Sequence, residues 1–393
     1  MDANKDGMKK RVKSMMITGA TGEVGSYAAL FAARLGIADT IYVVARNQAN
    51  LATISYNAQT SSLMRGYPSI VEPVGMDLSN VEETAETLRR LSPDLLINCA
   101  TGMSLYPYFP AMKKRQKRMG LIPGFAHTLP KDMVVLYPLM QAVHQAAPRC
   151  RVVNLSAPDL AGPVLYPRGL APTIGAGTLD STSQGIALRV AKELGASPNE
   201  IVIRLVAHHA LRRFPAHEVP FILKIYYGER DITEDFTEEE RFGFVNYATD
   251  VTGVETMNAP VSNNASITAA SAVETAYALV CNEGTVRHGS GILGIPGGAP
   301  VRLLWDRQEL ALPEGVSAAE AFEVNTAGMK KDGLDYVKED GTAVFTEAEQ
   351  YWIRESLGLG WKECAPENCA EMTKELKAAY QKMALEEGAA ADN

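Results

Sequence analysis

The segment SMMITGATGEVGSYAALFAARLG, residues 14–36, decides the fold class of this chain. A short apolar stretch leads into Gly19, Gly22 and Gly25, and small and apolar residues at helical spacing follow them. In such a pattern a strand passes through a glycine-rich turn into a helix, and the N–H groups of the turn meet the phosphates of a dinucleotide. We therefore predict an α/β fold that begins with a Rossmann-type, doubly wound parallel sheet.

Four further apolar stretches alternate with amphipathic segments up to residue 157. They are IYVVAR at 41–46, SIVEPVGMDL at 69–78, DLLINCA at 94–100 and RVVNLSA at 151–157. Strands that are apolar throughout belong to a parallel sheet with helices on both faces. The second half mixes both kinds of segment and predicts an α+β domain. The predicted limits are a polar arm at 1–13, an NAD(P)-binding domain at 14–157, a catalytic and oligomerisation domain at 158–358, and a helical extension at 359–393, which we expect to pack on the body or on a partner subunit.

Composition narrows the class of protein. Of the 393 residues, 46% are hydrophobic and 21% are charged, as in globular proteins with a large core, and the net charge is -8. An acidic chain lacks the basic face that nucleic acid needs, so we expect no nucleic-acid partner. No run of 18 apolar residues and no signal-peptide core is present, so we expect no membrane partner and a cytoplasmic location. The five scattered cysteines predict reduced thiols and no metal site.

The glycine-rich turn and the strand ends predict the cofactor site. Gly19 permits the tight turn, Gly22 lets the backbone approach a pyrophosphate, and Gly25 lets the helix pack closely on the strand. A purely structural turn is the alternative. The predicted cofactor-binding residues are Gly19, Thr21, Gly22, Glu23, Val24, Gly25, Arg46, Asn47, Ala100, Thr101 and Ser156.

The end of the second strand bears on the choice between NADP and NAD. An acidic residue at this point would bind the adenine ribose of NAD, and the chain has Ala45 and Arg46 instead. The Arg46 guanidinium can pair with a 2′-phosphate, which favours NADP. NAD remains the alternative, because Arg46 could equally be a solvated residue at the end of a strand.

Five segments in this order resemble the lactate/malate dehydrogenase family. They are GATGEVGS at 19–26, NCATG at 98–102, LSAPD at 155–159, GAGTLDS at 175–181 and VAHHA at 206–210. The resemblance spans about residues 14–358. It implies a lactate/malate dehydrogenase-like fold, an NAD(P)-dependent oxidoreductase acting on CH–OH groups, a small-molecule substrate, and a homodimer or homotetramer.

The resemblance also implies a catalytic pair of histidine and aspartate. In that family the imidazole moves the hydroxyl proton while hydride passes to or from the nicotinamide, and the carboxylate fixes the tautomer. Counted from Leu194, His209 falls on the position of the histidine, and Asp180 falls on that of the carboxylate. Since side chains alternate along a strand, His208 is expected on the opposite face. A histidine that merely completes the core is the alternative.

The substrate side departs from the family pattern. The family has an arginine three residues after the aspartate, which binds the substrate carboxylate, and this chain has Ser183 there. Ala157 stands where the family has asparagine. These changes predict a secondary alcohol or ketone other than lactate or malate. The predicted substrate-binding residues are Ser183, Arg212, Arg213, His127 and Asn263, with the two arginines as substitutes for the missing clamp.

Three interpretations stay open at this point. The basic run KKRQKR at 113–118 is either a solvated loop or a lid whose Arg115 or Arg118 meets an anionic substrate or the NADP phosphates. TGATGEVG also opens short-chain and extended reductases and epimerases, although no tyrosine of this chain has a lysine four residues on. A protein that binds NADP without catalysis is the third possibility, because the arginine clamp is missing.

Overall fold

The structure is a computed structural model that describes residues 10–66, 69–252 and 262–388. At 250–252 and 262–264 it describes the backbone alone. The elements of the first half are β1 Val12–Thr18, α1 Glu23–Leu35, β2 Ala38–Ala45, α2 Gln48–Arg65, β3 Ile70–Gly75, α3 Val81–Leu91, β4 Leu95–Asn98, α4 Phe109–Met119, α5 Leu129–Ala146, β5 Arg151–Asn154, α6 Pro158–Leu165 and β6 Ile174–Gly175. The later elements are α7 Thr178–Leu194, β7 Ile201–Val206, β8 Ile222–Tyr227, β9 Arg230–Asp231, α8 Glu238–Thr252, α9 Ser262–Cys281, β10 Thr285–Ser290, β11 Gly298–Leu303, β12 Gln308–Leu310, α10 Ala318–Lys331, β13 Leu334–Val337, β14 Ala343–Phe345, α11 Glu347–Leu357, β15 Glu363–Cys364 and α12 Cys369–Glu386.

A nine-stranded sheet forms the centre of the molecule, in the order β12-β11-β10-β6-β5-β4-β1-β2-β3. Strands β1 to β6 are parallel to their neighbours, and β10 to β12 extend one edge in antiparallel fashion. The chain reverses direction across the sheet between β1 and β4, and such a switch point is where open α/β sheets bind ligands. The predicted parallel sheet is therefore confirmed, and it continues past residue 157, the predicted end of the first domain.

The apolar strands are buried because helices cover the sheet on both faces. In β1, Met15, Met16 and Ile17 are all fully buried. One face packs against α1 and α9, where small residues such as Ala32 and Ala276 let the helices approach the sheet closely. The other face shares a core with α3 and α5, and α12 packs on the outside of α5. In the described parts of the chain no helix is both long enough and apolar enough to cross a membrane.

Two small sheets complete the fold and position the histidines. Strands β7, β8 and β9 form one of them, and β13, β14 and β15 form the other. Strand β7 ends at Val206, and a 3-10 turn over His209–Arg212 follows it. Helix α10, which the sequence did not predict, ends next to Asp332 at the entrance to β13. These two chain segments bring the histidines and Asp332 together.

The basic run forms part of helix α4 and binds the C-terminal helix α12. The Arg115 Nε and Nη2 atoms lie 2.5 Å from Glu387 Oε1 and 2.6 Å from Glu386 Oε2. Arg118 Nη2 lies 2.6 Å from the same Glu387 oxygen. The basic run is therefore helical rather than a loop, and carboxylates of the extension pair with the buried Arg115. A contact of the 62% exposed Arg118 with an anionic ligand stays a prediction. The extension packs on the body, which is one of the two outcomes that the sequence predicted for it.

Candidate active site

The glycine-rich turn lies at the carboxyl end of β1. Gly19 has a φ of 67°, and a Cβ there would come within 2.8 Å of Ala100 Cα. A Cβ on Gly25 would come within 2.3 Å of Gly19 O, so glycine is required where α1 packs on the turn. A Cβ on Gly22 would meet only Gly19 O, at 3.2 Å, so this backbone faces open space. The turn thus has the three geometries predicted for its glycines.

The start of α1 fits a phosphate group. Helix α1 begins at Glu23, and its N-cap Gly22 supplies no side-chain hydrogen bond. The first N–H groups of a helix need an acceptor, and a phosphate is a suitable one. Glu23 is exposed, and Thr21 and Val24 are partly exposed around the same opening. These residues can accommodate a dinucleotide diphosphate, and their contact with a cofactor remains a prediction.

A buried network of amides and hydroxyls shapes the neighbouring strand ends. Thr18 Oγ1 donates to Asn98 Oδ1 at 2.7 Å, and Asn98 Nδ2 donates to Asn154 Oδ1 at 2.9 Å. Ser156 Oγ donates to Ala100 O at 2.5 Å. Ala100 and Ser156 therefore form a rigid floor beside the glycine-rich turn, and the exposed Thr101 follows at its rim.

Arg46 and Asn47 are exposed beyond the end of β2. Asn47 caps α2, since its Oδ1 accepts a hydrogen bond from Ala49 N at 3.2 Å. The Ser79 N–H and hydroxyl, together with the Arg46 guanidinium, lower the pKa of the Asp77 carboxyl against the opposing effect of burial. Arg46 is thus accessible to a ligand, with a carboxylate in its neighbourhood.

Both histidines of the VAHHA segment face one carboxylate. His209 Nδ1 lies 3.5 Å from Asp332 Oδ2, and His208 Nδ1 lies 3.8 Å from the same oxygen. The prediction that His208 points to the opposite face is wrong, because β7 ends at Val206 and strand alternation does not continue to these residues. Exposure separates the pair, since the side chain of His209 is 25% exposed and that of His208 is 0% exposed.

His208 is a neutral group behind His209. Its Nδ1 accepts a hydrogen bond from Ala210 N at 3.2 Å, which places its proton on Nε2. Burial lowers the pKa of His208, against the opposing charges of Asp332 and Asp159. An imidazole without access to solvent and with a lowered pKa does not exchange protons with a substrate at neutral pH.

Asp332 is ionised and held in place between α10 and β13. Its Oδ1 accepts a hydrogen bond from Phe125 N at 3.0 Å, and its Oδ2 faces the imidazoles. Burial alone would raise the pKa of this carboxyl. The adjacent imidazole of His209, with His208 and the Phe125 N–H, brings the pKa below its ordinary value. Asp332 can therefore fix the orientation of His209 and stabilise its protonated form.

Solved structures share this arrangement of sheets and helices. Malate dehydrogenase from Aeropyrum pernix matches with a TM-score of 0.59 and 17% identity, over 81% of this chain and 97% of that one. Malate dehydrogenase from Cryptosporidium parvum matches with a TM-score of 0.58 and 16% identity, over 82% and 98%. Lactate dehydrogenase from the same organism, complexed with lactic acid and nicotinamide adenine dinucleotide, matches with a TM-score of 0.57 and 16% identity, over 83% and 99%. This chain has the malate and lactate dehydrogenase fold.

The dehydrogenase fold is thus confirmed as the sequence predicted it. No protein-family model matches the chain, and no curated protein matches it. The likeness lies in the architecture, since the solved structures named above are only 16–17% identical to this chain.

Asp180 does not pair with His209 in this dehydrogenase fold, and the predicted pair is wrong. Asp180 Oδ2 lies 2.5 Å from Arg287 Nη2 and 2.9 Å from Ser271 Oγ. The residue sits in the first turn of α7, which directs it towards β10 and α9. Its charge acts on His288, whose pKa burial lowers to about 4. Asp332 takes the place beside His209 that the sequence assigned to Asp180.

Three of the predicted substrate contacts are closed off by protein. Ser183 is fully buried, and its hydroxyl donates to Asp180 O at 2.8 Å. His127 is fully buried between Glu349 and a tyrosine of α12. Arg213 is buried and donates to Pro123 O at 2.9 Å. The predictions for Ser183, His127 and Arg213 are therefore wrong. The side chain of Asn263 lies outside the described residues.

Arg212 keeps partial access to solvent at the end of the His209 turn. Burial lowers its pKa to about 10, and Tyr106 and Asp159 act in the opposite direction. Burial, and then the charge of Glu23, raise the pKa of Tyr106, which the charge of Arg212 lowers. Tyr106 is therefore within electrostatic reach of Glu23 in the glycine-rich turn and of Arg212 in the His209 turn.

Four residues of this region were not among the predicted contacts: Tyr106, Phe125, Asp159 and Asp332. Tyr106 and Phe125 lie in the long segment between β4 and α5, for which the sequence predicted substrate contacts only from basic residues. Asp159 belongs to the LSAPD segment, which could have pointed to it. Asp332 follows α10, whose start is marked in the sequence by the capping box of Ser317 and Glu320.

Two cavities of the structure are lined by other residues. One of about 530 Å³ is lined by Phe221, Lys224 and Phe242 among others, and one of about 370 Å³ by His144 and Tyr166 among others. Within residues 10–66, 69–252 and 262–388, no group of three or more His, Cys, Asp or Glu side chains could hold a metal ion. His209 therefore remains the centre of the candidate site.

Proposed function

We propose that the protein is an NAD(P)-dependent oxidoreductase, with a preference for NADP, that transfers hydride between the nicotinamide and a secondary alcohol or ketone. One observation carries this proposal: the partly exposed His209 is backed by the buried carboxylate of Asp332. The fold supports the reaction class, because it is shared with a lactate dehydrogenase complexed with NADH and oxamate, among others.

His209 is the proposed carrier of the substrate proton. The cofactor, when bound, supplies or accepts the hydride. Asp332 orients Nδ1–H of His209 towards itself and leaves Nε2 to accept the hydroxyl proton of an alcohol. In the direction of ketone reduction the imidazolium returns this proton to the oxygen. The distance of 3.5 Å between Nδ1 and Oδ2 is long for a hydrogen bond, and such contacts tighten when substrate binds.

The residues at the strand ends would hold the cofactor. The N–H groups at Gly22, Glu23 and Val24 suit the diphosphate, and the rigid floor at Ala100 and Ser156 lies beside them. An NADP 2′-phosphate would meet Arg46. We propose this preference because Ala45 leaves no acid to bind the ribose of NAD.

Arg212 is the proposed anchor for the substrate. It lies in the same turn as His209 and keeps partial access to solvent, whereas Arg213 is buried. A guanidinium can hold a carboxylate or a polarised carbonyl oxygen. Ser183 is buried and Ala157 is apolar, so this chain lacks the arginine and the asparagine that the lactate/malate dehydrogenase family has at these two positions. We therefore propose a substrate other than lactate or malate.

We also propose a homodimer or homotetramer in the cytoplasm. The shared fold supports self-association, and so do the exposed side chains of Tyr56, Leu63 and Met64 along α2. Size-exclusion chromatography with light scattering tests the oligomeric state.

The test of the function is His209→Asn. Turnover of ketones and hydroxy acids is expected to fall by about 100-fold or more, because general acid–base catalysis is lost. NADPH binding, followed by fluorescence titration, is expected to stay unchanged. His144→Asn is the matched control, since His144 is exposed on α5. Full activity of the His209→Asn protein on a substrate that the wild type turns over would refute the assignment.

A further inference from the structure

A chain of buried polar groups leads from the C-terminal helix α12 towards Asp332. Tyr380 Oη lies 2.6 Å from His127 Nε2, and His127 Nδ1 lies 2.5 Å from Glu349 Oε1. Tyr380 and His127 are fully buried, and Glu349 is 1% exposed. These three side chains therefore act on one another and on the protein around them, and they do not touch substrate or cofactor.

The hydrogen bonds of this chain are complete when His127 is neutral. Its Nδ1–H donates to Glu349, and its Nε2 accepts from the Tyr380 hydroxyl. Burial, followed by the charge of Glu349, raises the pKa of Tyr380, so the phenol keeps the proton that it donates. Glu349 also accepts from His127 N at 3.1 Å and from Gly124 N at 3.0 Å. A single carboxylate thus organises the backbone around Gly124.

The backbone at 123–128 is held from the other side by Asp332. Phe125 N donates to Asp332 Oδ1, and Ala126 N donates to Asp332 O, both at 3.0 Å. A Cβ on Gly124 would come within 1.9 Å of Asp332 O, so the two backbones are in direct contact. The segment 123–128 is therefore fixed between two buried carboxylates, those of Glu349 and Asp332.

Glu349 also packs directly against the residue that follows Asp332. A Cβ on Gly333 would come within 2.5 Å of Glu349 Cδ. Gly333 has a φ of 99°, a conformation that side-chain-bearing residues rarely adopt. Because interiors are close-packed, a displacement of Glu349 must shift the turn that carries Asp332.

The same segment touches His209 and its neighbour Arg213. The rings of Phe125 and His209 are 5.3 Å apart between centroids. The Arg213 guanidinium lies 4.2 Å from the centre of the Phe125 ring. The charges of Asp332 and Glu349 oppose the effect of burial, which lowers the pKa of Arg213. Both carboxylates that hold the segment 123–128 therefore also act on the Arg213 guanidinium.

We propose that Tyr380 and Glu349 are positioning residues for His209. Through His127 and the segment 123–128 they hold Asp332 against the imidazole, so the C-terminal helix completes the active site. The proposal depends on the function proposed above only in naming His209 as the proton carrier.

The experiment follows the titration of His209 by NMR in the full chain, without cofactor or substrate. The His209 resonance is assigned from the spectrum of His209→Asn. In Tyr380→Phe the midpoint is expected to fall by about half a unit to one unit, because Asp332 moves away and stabilises the imidazolium less. Glu349→Gln is expected to lower it in the same way. Tyr351→Phe is the matched control, since Tyr351 is 48% exposed and lies on the same helix, α11, as Glu349.

A Tyr380→Phe protein that is folded, less heat-stable and unchanged in its His209 titration would overturn the proposal, because Tyr380 would then serve stability alone. If Tyr380→Phe does not fold, the titration of Glu349→Gln decides by the same criterion. In turnover, Tyr380→Phe is expected to lower kcat about tenfold with little change in KM. Should His209→Asn be fully active, the proposed function fails, while the titration still tests the link between Tyr380 and His209.

Discussion

Two buried carboxylates near the histidines have different partners. Asp332 faces the imidazole of His209, which can gain and lose a proton. Asp180 faces the guanidinium of Arg287, which stays charged, and the hydroxyl of Ser271. A carboxylate supports proton transfer only when its partner is the group that titrates. The two residues should therefore respond differently to the same substitution.

We expect Asp332→Asn to lower kcat/KM by about 100-fold or more, because the imidazolium loses its stabilising charge and the tautomer is no longer fixed. NADPH affinity should be unchanged. Asp180→Asn should leave kcat/KM within a few-fold and lower the free energy of unfolding by about 1 to 3 kcal/mol, since Arg287 loses its partner in a partly exposed site. Steady-state kinetics and urea unfolding measure both. The reverse pattern, with Asp180→Asn inactive and Asp332→Asn active, would restore the assignment made from the sequence.

At the scale of elements, the sequence predicted those strands and helices whose apolar residues recur with a clear period. The five parallel strands from β1 to β5 and helices such as α3 and α7 follow from apolar runs and helical spacing. Helix α10 was missed, and with it the turn that carries Asp332. The pairing of His209 with Asp332 joins the end of β7 to the end of α10, and no local pattern encodes a contact between segments so far apart in the chain. The resemblance therefore assigned the carboxylate to Asp180, whereas in the structure Asp332 lies beside His209.

His288 links β10 to β7 and makes the stability of this region sensitive to pH. Its Nε2 accepts a hydrogen bond from Leu205 N at 3.1 Å, which requires a neutral imidazole nitrogen. The side chain is buried, and its pKa falls from 6.5 to about 4, first through burial and then through the charges of Arg204 and Arg287, against the charge of Asp180. The unfolded chain therefore binds a proton at this histidine at a higher pH than the folded chain does.

From this difference we expect the free energy of unfolding to decrease as the pH falls from 6.5 to about 4. The contribution of His288 over this range is roughly 3 kcal/mol. His288→Gln, whose amide oxygen can still accept from Leu205 N, should flatten this dependence, although the buried His208 adds a slope of the same sign. Urea unfolding at several pH values measures the effect, with the exposed His144→Gln as the control. A His288→Gln protein with the wild-type slope would contradict the prediction.

At the scale of the whole molecule, the sequence predicted the architecture and not the connections across it. The parallel sheet and the dehydrogenase fold followed from the glycine-rich turn and the five ordered segments. The pairing of Arg115 with Glu386 and Glu387, and the contact of Tyr380 with His127, join the last helix to the segment between β4 and α5. Such contacts depend on packing in three dimensions, which the spacing of residues along the chain does not specify.

Cofactor binding should stabilise the molecule as a whole, because the site is assembled from the ends of several strands and exists only in the folded chain. A ligand that binds only the folded state adds about 2.7 kcal/mol at a concentration of 100 times its Kd. If Arg46 has its proposed role, its guanidinium pairs with the 2′-phosphate, and NADP should raise Tm more than NAD does at equal concentration. Arg46→Ala should abolish the difference in Tm between the protein with NADP and the protein with NAD. Asp77→Asn should enlarge this difference, because the Asp77 carboxylate near Arg46 repels a phosphate. If Arg46→Ala keeps the Tm difference between NADP and NAD, the proposed role of this arginine is refuted. If neither cofactor raises the Tm of the wild type, the cofactor site itself is refuted.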